Sequence, residues 1–149
     1  MAEQHFQIGV KGLIRNNKGE ILMVYIPDWG HNPGHWDFPG CRMDPGETFL
    51  QTLKRELEEE IGVTYAGSPK QLAALLTKIT IPVGKDLMPL VFVVYEVDMP
   101  AEANVKLDPN GPEKEFKWFA PTEAADKMET KFPTEFCDIV RKLPNRGRG

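Results

Sequence analysis

Three glutamates in the middle of the chain, Glu56, Glu59 and Glu60, have the spacing i, i+3, i+4. On an α-helix this spacing places the three carboxylates on one face, where their like charges repel one another. Mg²⁺ prefers oxygen ligands, so a bound divalent cation would turn this repulsion into attraction. Runs of glutamate are also typical of solvated helix faces that bind nothing, and the cluster alone leaves both interpretations open.

The glutamates must be carried by a helix that begins at Thr48 and ends at Gly62. Thr48 followed by Gln51 is a capping-box pattern, and glycine tolerates the left-handed turn that follows many helices. Apolar residues recur between these ends at three- and four-residue spacing and predict one buried face. They are Leu50, Leu53, Leu57 and Ile61. At about 100° per residue, Glu58 falls on the opposite flank of this apolar stripe, away from the cluster.

The residues around the glutamates resemble a known signature. From Glu47 the chain reads E-x7-R-E-L-x-E-E-x-G-V, in which Arg55 and Glu56 open the acidic run and Gly62 and Val63 close it. This pattern is similar to the signature of the Nudix hydrolases, G-x5-E-x7-R-E-U-x-E-E-x-G-U, where U is a bulky aliphatic residue. Every fixed position from Glu47 onward matches, and a match of this length is far more specific than a short motif.

The first position of the signature departs from the family. At the position separated from Glu47 by five residues, where the signature opens with glycine, this chain has Cys41, preceded by Gly40. Taking Gly40 as the opening glycine would require one inserted residue, and we prefer the substitution. Glycine is common where a backbone needs a positive φ or approaches a ligand closely. We therefore expect the loop geometry, and with it the level of activity, to depend on Cys41.

The resemblance implies an enzyme that splits a pyrophosphate bond in a nucleoside diphosphate derivative with Mg²⁺ or Mn²⁺. Such a reaction needs cations to neutralise the phosphate oxygens and to position a water. By position in the signature, Glu56, Glu59 and Glu60 are the expected metal ligands, with the backbone carbonyl of Gly40 as a further ligand. Glu56 is also a candidate for the general base.

The remaining catalytic assignments also come from the resemblance. Arg55 is expected to pair with Glu47 and to orient the glutamates rather than to contact the substrate. In some family members a carboxylate from a later loop is the general base. Glu113 and Glu115 are the candidates here, and we include Glu115 among the catalytic residues. The alternative for both is an ordinary surface charge before a strand.

The loop over residues 28–35 contains two glycines and displays aromatic side chains shortly before the signature. Trp29 or His31 is expected to stack on the base of a nucleotide. Trp36 is instead expected to pack in the core beside Phe38.

Residues 31–41 also contain potential zinc ligands, namely His31, His35 and Cys41. A structural zinc site needs four ligands, and no paired Cys or His motif completes this one. A zinc site is therefore the less favoured interpretation.

The substrate is inferred by elimination. Family members that cleave ADP-ribose commonly have a proline some fifteen residues after the signature. Those that cleave dinucleoside polyphosphates commonly have a tyrosine near that spacing. Residues 75–81, which cover this spacing, contain neither residue. The upstream motif of the coenzyme A members is also not apparent. This favours a nucleoside triphosphate, including an oxidised or noncanonical one, converted to the monophosphate and pyrophosphate. The alternatives are an ADP-sugar or dinucleoside polyphosphate hydrolase, or a catalytically weak nucleotide-binding module.

The length of 149 residues predicts a single domain over residues 1–144, followed by a disordered tail over 145–149. A net charge of −4 argues against a general nucleic-acid-binding surface. Two cysteines suggest no disulfide framework and fit a reducing cytoplasm. No apolar run reaches the length of a signal peptide or membrane span, so we expect a cytoplasmic protein without a membrane partner. Dimers are common in the family, which makes a homodimer an open alternative.

The fold class implied by the resemblance is α/β, a Nudix-type α/β/α sandwich around a mixed β-sheet. Sequence patterns predict strands over 6–14, 21–26, 71–81, 90–97 and 115–119, with the first two forming a hairpin. A helix is expected from Pro121 and another over 134–143. Expected packing residues in the strands include Ile8, Val10, Leu13, Ile14, Phe116 and Trp118.

Overall fold

A computed structural model describes residues 3–99, 104–144 and 146 of the chain. In chain order the elements are β1 (Gln7–Arg15), β2 (Ile21–Ile26), β3 (His35–Asp37), β4 (Gly40–Arg42), α1 (Phe49–Ile61), β5 (Lys70–Val83), β6 (Asp86–Asp98), β7 (Glu115–Phe119), α2 (Pro121–Lys127) and α3 (Thr134–Arg141). No helix within these residues is long and apolar enough to cross a membrane. Of the predicted tail, residues 145 and 147–149 lie outside the described residues, and the Arg146 guanidinium lies 2.7 Å from the Asp98 carboxylate.

The strands form one mixed sheet. Five of them follow the order β3-β2-β1-β6-β5, while β4 pairs with β1 and β7 pairs with β2. The predicted hairpin of β1 and β2 is antiparallel, and β1 pairs in parallel with β6. Because β6 lies between β1 and β5, it is an interior strand, which explains its long apolar run.

Each face of the sheet buries an apolar core of its own. Successive residues of β1 point to opposite faces, so Val10 and Ile14 pack with α1 while Leu13 packs with α2 and α3. The α1 core buries Leu53, Leu57 and Ile61 completely. Helices on both faces of a mixed sheet make the α/β/α sandwich that the resemblance implies.

Helix α1 has the ends that its sequence predicts. The Thr48 hydroxyl accepts a hydrogen bond from the Gln51 N–H at 3.1 Å, and the Gln51 side chain accepts one from the Thr48 N–H at 2.9 Å. Gly62 follows the helix with φ 68°, in the left-handed region. These two caps define the ends of the helix that carries the glutamates.

Three residues expected in the core are partly exposed: Leu50 by 38%, Ile8 by 42% and Phe116 by 39%. The buried face of α1 also contains Thr52 and Glu56, so it is rotated toward the glutamates and leaves Leu50 at its edge. Strands β1 and β7 are exposed at their N-terminal ends, where Ile8 and Phe116 lie, and buried only further along.

Candidate active site and metal-binding residues

A cavity of about 610 Å³ lies against the glutamate face of α1. Its volume is in the range of small-molecule sites. Carboxylates from α1 and from the segment before β7 line one part of the wall, and apolar groups from β5 and β6 line another. The acidic side chains are Glu56, Glu59, Glu60 and Glu113, and the apolar ones include Ile81, Leu90 and Phe92.

In the described part of the chain, the potential metal ligands that come together are Cys41, Glu56 and Glu60. One ligand atom from each lies within 4.8 Å of the others. Burial, helped by neighbouring carboxylates, raises the pKa of both glutamates, that of Glu60 to about 8. A hard divalent cation such as Mg²⁺ or Mn²⁺ would offset both the burial and the repulsion. The two carboxylates therefore fit the cation that the family uses.

The other two predicted metal ligands adjoin this group. The Glu59 carboxylate lines the cavity, but its side chain is 54% exposed and lies 3.3 Å from the Arg55 guanidinium. The Gly40 carbonyl accepts a hydrogen bond from the Lys11 ammonium at 2.7 Å, and the Gly40 N–H donates to the Glu60 carboxylate at 2.8 Å. Their role as ligands stays a prediction.

The expected contact between Arg55 and Glu47 is present as a two-point ion pair. Arg55 Nε and Nη2 donate to the two oxygens of Glu47 at 2.6 and 2.9 Å. These hydrogen bonds, with others from the Asp44 N–H and the Thr52 hydroxyl, lower the pKa of Glu47 to about 2. Arg55 Nη1 also lies 3.4 Å from Glu56. The pair thus links the loop before α1 to the glutamate face.

Glycine is required at position 40 and not at position 41. Gly40 has φ 133°, and a Cβ placed there would lie 2.1 Å from the Val10 carbonyl oxygen. Cys41 pairs with Val10 in the β4–β1 ladder, and no non-glycine residue in the described ranges has a positive φ. The backbone at Cys41 therefore does not require glycine, and the cysteine is accommodated in a regular strand pairing.

Cys41→Gly is expected to retain or raise turnover, because the backbone is unstrained at this position and the thiol is not needed to shape it. The measurement is kcat/KM with Mg²⁺ for the variant and the parent protein. Cys41→Ser, which keeps a donor atom beside Glu56 and Glu60, is the matched control. A large loss in Cys41→Gly that Cys41→Ser does not show would instead give the side chain a role of its own.

The structure separates the aromatic candidates. Trp29 lines the cavity, whereas His31 is exposed outside the lining, with Nε2 3.4 Å from the Thr80 hydroxyl. The imidazole of His31 is thus poorly placed to stack on a ligand in the cavity. Trp36 packs edge-on against Tyr25 and Phe119, with ring centroids 5.3 and 5.1 Å apart, as expected of a packing residue.

The histidines do not form the alternative zinc site. His35 is buried, and its Nε2 lies 4.0 Å from the Asp37 carboxylate. Within residues 3–99, 104–144 and 146, Cys41 groups with glutamates and not with His31 or His35.

Of the two late carboxylates, Glu113 and not Glu115 reaches the cavity. Glu113 is 6% exposed and lines it, while Glu115 is exposed at the start of β7, outside the lining. The register of β7 explains the difference, because Glu115 opposes Tyr25 of β2 as the first residue of the strand. The placement of Glu115 does not support a catalytic role, and Glu113 is the better candidate.

Sequence reasoning missed three charged residues that also line the cavity: Lys11, Asp37 and Lys131. All three are at most 5% exposed. The available signals were weak: a lysine within an apolar strand and an aspartate between two aromatic residues. Lys131 follows α2 in a polar turn, and nothing in its local sequence predicts burial.

The chain belongs to the Nudix family. The sequence model of the NUDIX domain matches residues 5–138, which is most of the chain. The signature at α1 and the α/β/α sandwich agree with this membership.

Curated relatives match part of the chain. A segment of 52 residues is 46% identical to 8-oxo-dGTP diphosphatase of Haemophilus influenzae, covering 35% of this chain and 38% of that protein. Another of 62 residues is 40% identical to RNA pyrophosphohydrolase of Coxiella burnetii, covering 40% of this chain and 25% of the relative. These matches span less than two-fifths of the relatives' length. The crystal structure of the MutT protein from Methanosarcina mazei Go1 matches over 95% of both chains, with a TM-score of 0.67 and 28% identity.

Proposed function

We propose that this protein is a metal-dependent pyrophosphohydrolase that converts a nucleoside triphosphate to the monophosphate and pyrophosphate. The observation that carries the proposal is the pair of adjacent carboxylates, Glu56 (buried) and Glu60 (half-buried), facing a cavity with partly apolar walls. Two relatives are named for their activities, 8-oxo-dGTP diphosphatase and RNA pyrophosphohydrolase, and these names support a triphosphate substrate. A cytoplasmic location suits such a substrate and two free cysteines.

In this proposal Glu56, Glu59 and Glu60 hold a Mg²⁺ or Mn²⁺ ion, with the Gly40 carbonyl nearby. When bound, the ion neutralises phosphate oxygens and makes a water more acidic. The proton of the attacking water passes to a carboxylate of the chain. Glu56 and Glu113 suit this role because both are buried and line the cavity. Arg55 and Glu47 act as positioning residues, since their ion pair connects the loop to the glutamate face.

A panel of nucleotides incubated with Mg²⁺ or Mn²⁺ tests the proposal, with pyrophosphate and orthophosphate measured separately. Release of pyrophosphate and a monophosphate from a nucleoside triphosphate is expected. Preferred cleavage of an ADP-sugar or a dinucleoside polyphosphate would favour those alternatives. Binding without hydrolysis would indicate a nucleotide-binding module.

Size-exclusion chromatography with light scattering would test the homodimer that the family resemblance allows.

Trp29→Ala is expected to raise KM about tenfold with a smaller change in kcat. Stacking on a base contributes about 1–3 kcal/mol and acts in the ground and transition states alike. The substitution should leave the loop intact, because the backbone of Trp29 exchanges hydrogen bonds with Asn32 at 3.0 and 2.8 Å. Steady-state kinetics with the best triphosphate gives both constants.

The matched control is Trp36→Ala, since Trp36 packs against Phe119 and does not line the cavity. This variant should lower the melting temperature instead of raising KM. An unchanged KM in Trp29→Ala, together with a raised KM in a stable Trp36→Ala, would reverse the two assignments.

A further inference from the structure

Lys11, Asp37 and Lys131 form a buried ionic cluster in the wall of the cavity, called here the Lys–Asp–Lys cluster. One carboxylate oxygen, Asp37 Oδ2, accepts a short hydrogen bond from Lys131 Nζ and lies 3.2 Å from Lys11 Nζ. Burial opposes ionisation of Asp37, but the two ammonium groups prevail and lower its pKa to about 2. Burial lowers the pKa of Lys131, although the Asp37 carboxylate opposes that shift. With both lysines protonated, the cluster carries one positive charge in excess of its negative charge.

The two lysines differ in how many of their protons are used. Lys11 Nζ has three acceptors: the carbonyls of Phe38 at 3.1 Å and Gly40 at 2.7 Å, and the Asp37 carboxylate. Lys131 Nζ has one acceptor in the described part of the chain, the Asp37 carboxylate. The ammonium also lies over the Phe92 ring, 5.0 Å from its centroid. An ammonium has three donors. Lys131 therefore presents donors to the cavity that it lines.

Neutralising Asp37 does not account for Lys131, because Lys11 already supplies one positive charge. Burying a second ammonium is costly unless its charge and protons find partners. The backbone nevertheless holds Lys131 firmly in place. Its N–H donates to the Met128 carbonyl at 3.2 Å, and its carbonyl accepts from the Lys78 N–H at 2.8 Å. Lys78 lies at the irregularity of β5 between residues 76 and 80, where the strand departs from regular pairing with β6.

The position of Lys131 relative to the glutamates indicates which part of a ligand it meets. Lys11 contacts Gly40, whose N–H binds Glu60, so Lys11 adjoins the metal-binding group. Lys131 instead pairs with Asp37, and among the described residues its ammonium makes no hydrogen bond or ion pair with Glu56, Glu59 or Glu60, where the phosphates would be held. The Phe92 ring, with its centroid 5.0 Å from Lys131 Nζ, lines the same cavity as the apolar Leu90 and Ile81, and such a wall suits the flat face of a base.

We propose that Lys131 is a specificity-determining residue whose ammonium donates a hydrogen bond to a carbonyl oxygen of the base. This rests on the proposed hydrolysis of a nucleoside triphosphate. A base with a carbonyl at this position, such as hypoxanthine or guanine, accepts a hydrogen bond from the Lys131 ammonium. The partial negative charge of its oxygen also faces the surplus positive charge of the cluster. Adenine has an amino group there. Because the amino group and the ammonium are both hydrogen-bond donors, they would repel rather than bind each other. The cavity thus selects keto bases over adenine.

The test compares inosine with adenosine nucleotides, whose bases differ in the carbonyl and amino groups at position 6. The first readout is the ratio of kcat/KM for the two triphosphates. The second is the ratio of Kd for the two monophosphates in EDTA, measured by calorimetry, which needs neither metal nor hydrolysis. We expect the parent protein to prefer inosine at least about tenfold, the discrimination typical of one hydrogen bond to a base. Failure to release pyrophosphate would overturn the proposed function, while the Kd ratio would still decide the role of Lys131.

Lys131→Met should reduce both ratios to near one, and Lys131→Gln should keep an intermediate preference because its amide still donates. Lys127→Met removes the same charge from an exposed position of α2 outside the cavity lining and should match the parent protein. Lys11 remains beside Asp37 in both Lys131 variants, so both are expected to fold, as thermal unfolding would verify. If Lys131→Met does not fold, the inosine-to-adenosine ratios of kcat/KM and Kd measured for Lys131→Gln decide whether Lys131 contacts the base. An equal loss for inosine and adenosine nucleotides, as a phosphate contact or a purely structural lysine would give, overturns the proposal. A parent protein that prefers adenosine, or binds neither monophosphate, also overturns it.

Discussion

Glu60→Gln is expected to lower kcat by at least about a hundredfold, because it removes a charged ligand from the group that would hold the cation. The amide oxygen of glutamine can still accept the hydrogen bond that Glu60 receives from the Gly40 N–H. The fold should therefore survive while the affinity for Mg²⁺ falls. Pyrophosphate release over a range of Mg²⁺ concentrations measures both effects. Glu59→Gln should act in the same direction.

Glu58→Gln is the matched control for this prediction. Glu58 lies on the same helix and carries the same charge, but it is exposed and does not line the cavity. Its variant should retain turnover close to that of the parent protein. Turnover like that of the parent protein in Glu60→Gln and Glu59→Gln would exclude these glutamates as metal ligands.

Gly40→Ala is expected to destabilise the protein by about 3 kcal/mol or more, because two costs combine. An alanine at φ 133° is strained, and its Cβ would meet the Val10 carbonyl oxygen at 2.1 Å. For a chain of this size, such a loss lowers the melting temperature by roughly 10 °C. Differential scanning calorimetry measures the change. Activity should fall as well, since the Gly40 N–H positions Glu60.

Gly46→Ala separates the two costs. Gly46 also has a positive φ, of 84°, but a Cβ there would have no heavy atom within 4 Å. This variant should lose only the conformational part, about 1 kcal/mol. Equal melting temperatures for the two variants would mean that the contact with Val10 relaxes at little cost.

The acidic group was predictable from the sequence because its members lie on one helix. Helical geometry alone places Glu56, Glu59 and Glu60 on one face, and the capping residues Thr48 and Gly62 set the ends of that helix. The family and the sandwich fold were also predictable, since the signature spans a continuous run. Which residues of α1 are buried was less predictable, because the side of a helix that the sheet covers depends on packing. Leu50, expected in the core, lies at the edge of the buried face.

What the sequence determined by itself is therefore local: a capped helix, its shared acidic face, and the family to which that pattern belongs. Tertiary structure decided the rest of the site. Asp37 and Lys131 are separated by 94 positions, and they meet where the turn after α2 is hydrogen-bonded to β5. Likewise, the point at which β7 begins decides that Glu113 and not Glu115 lines the cavity. Contacts of this kind depend on strand pairing and loop anchoring between distant segments, which no periodicity within one segment encodes.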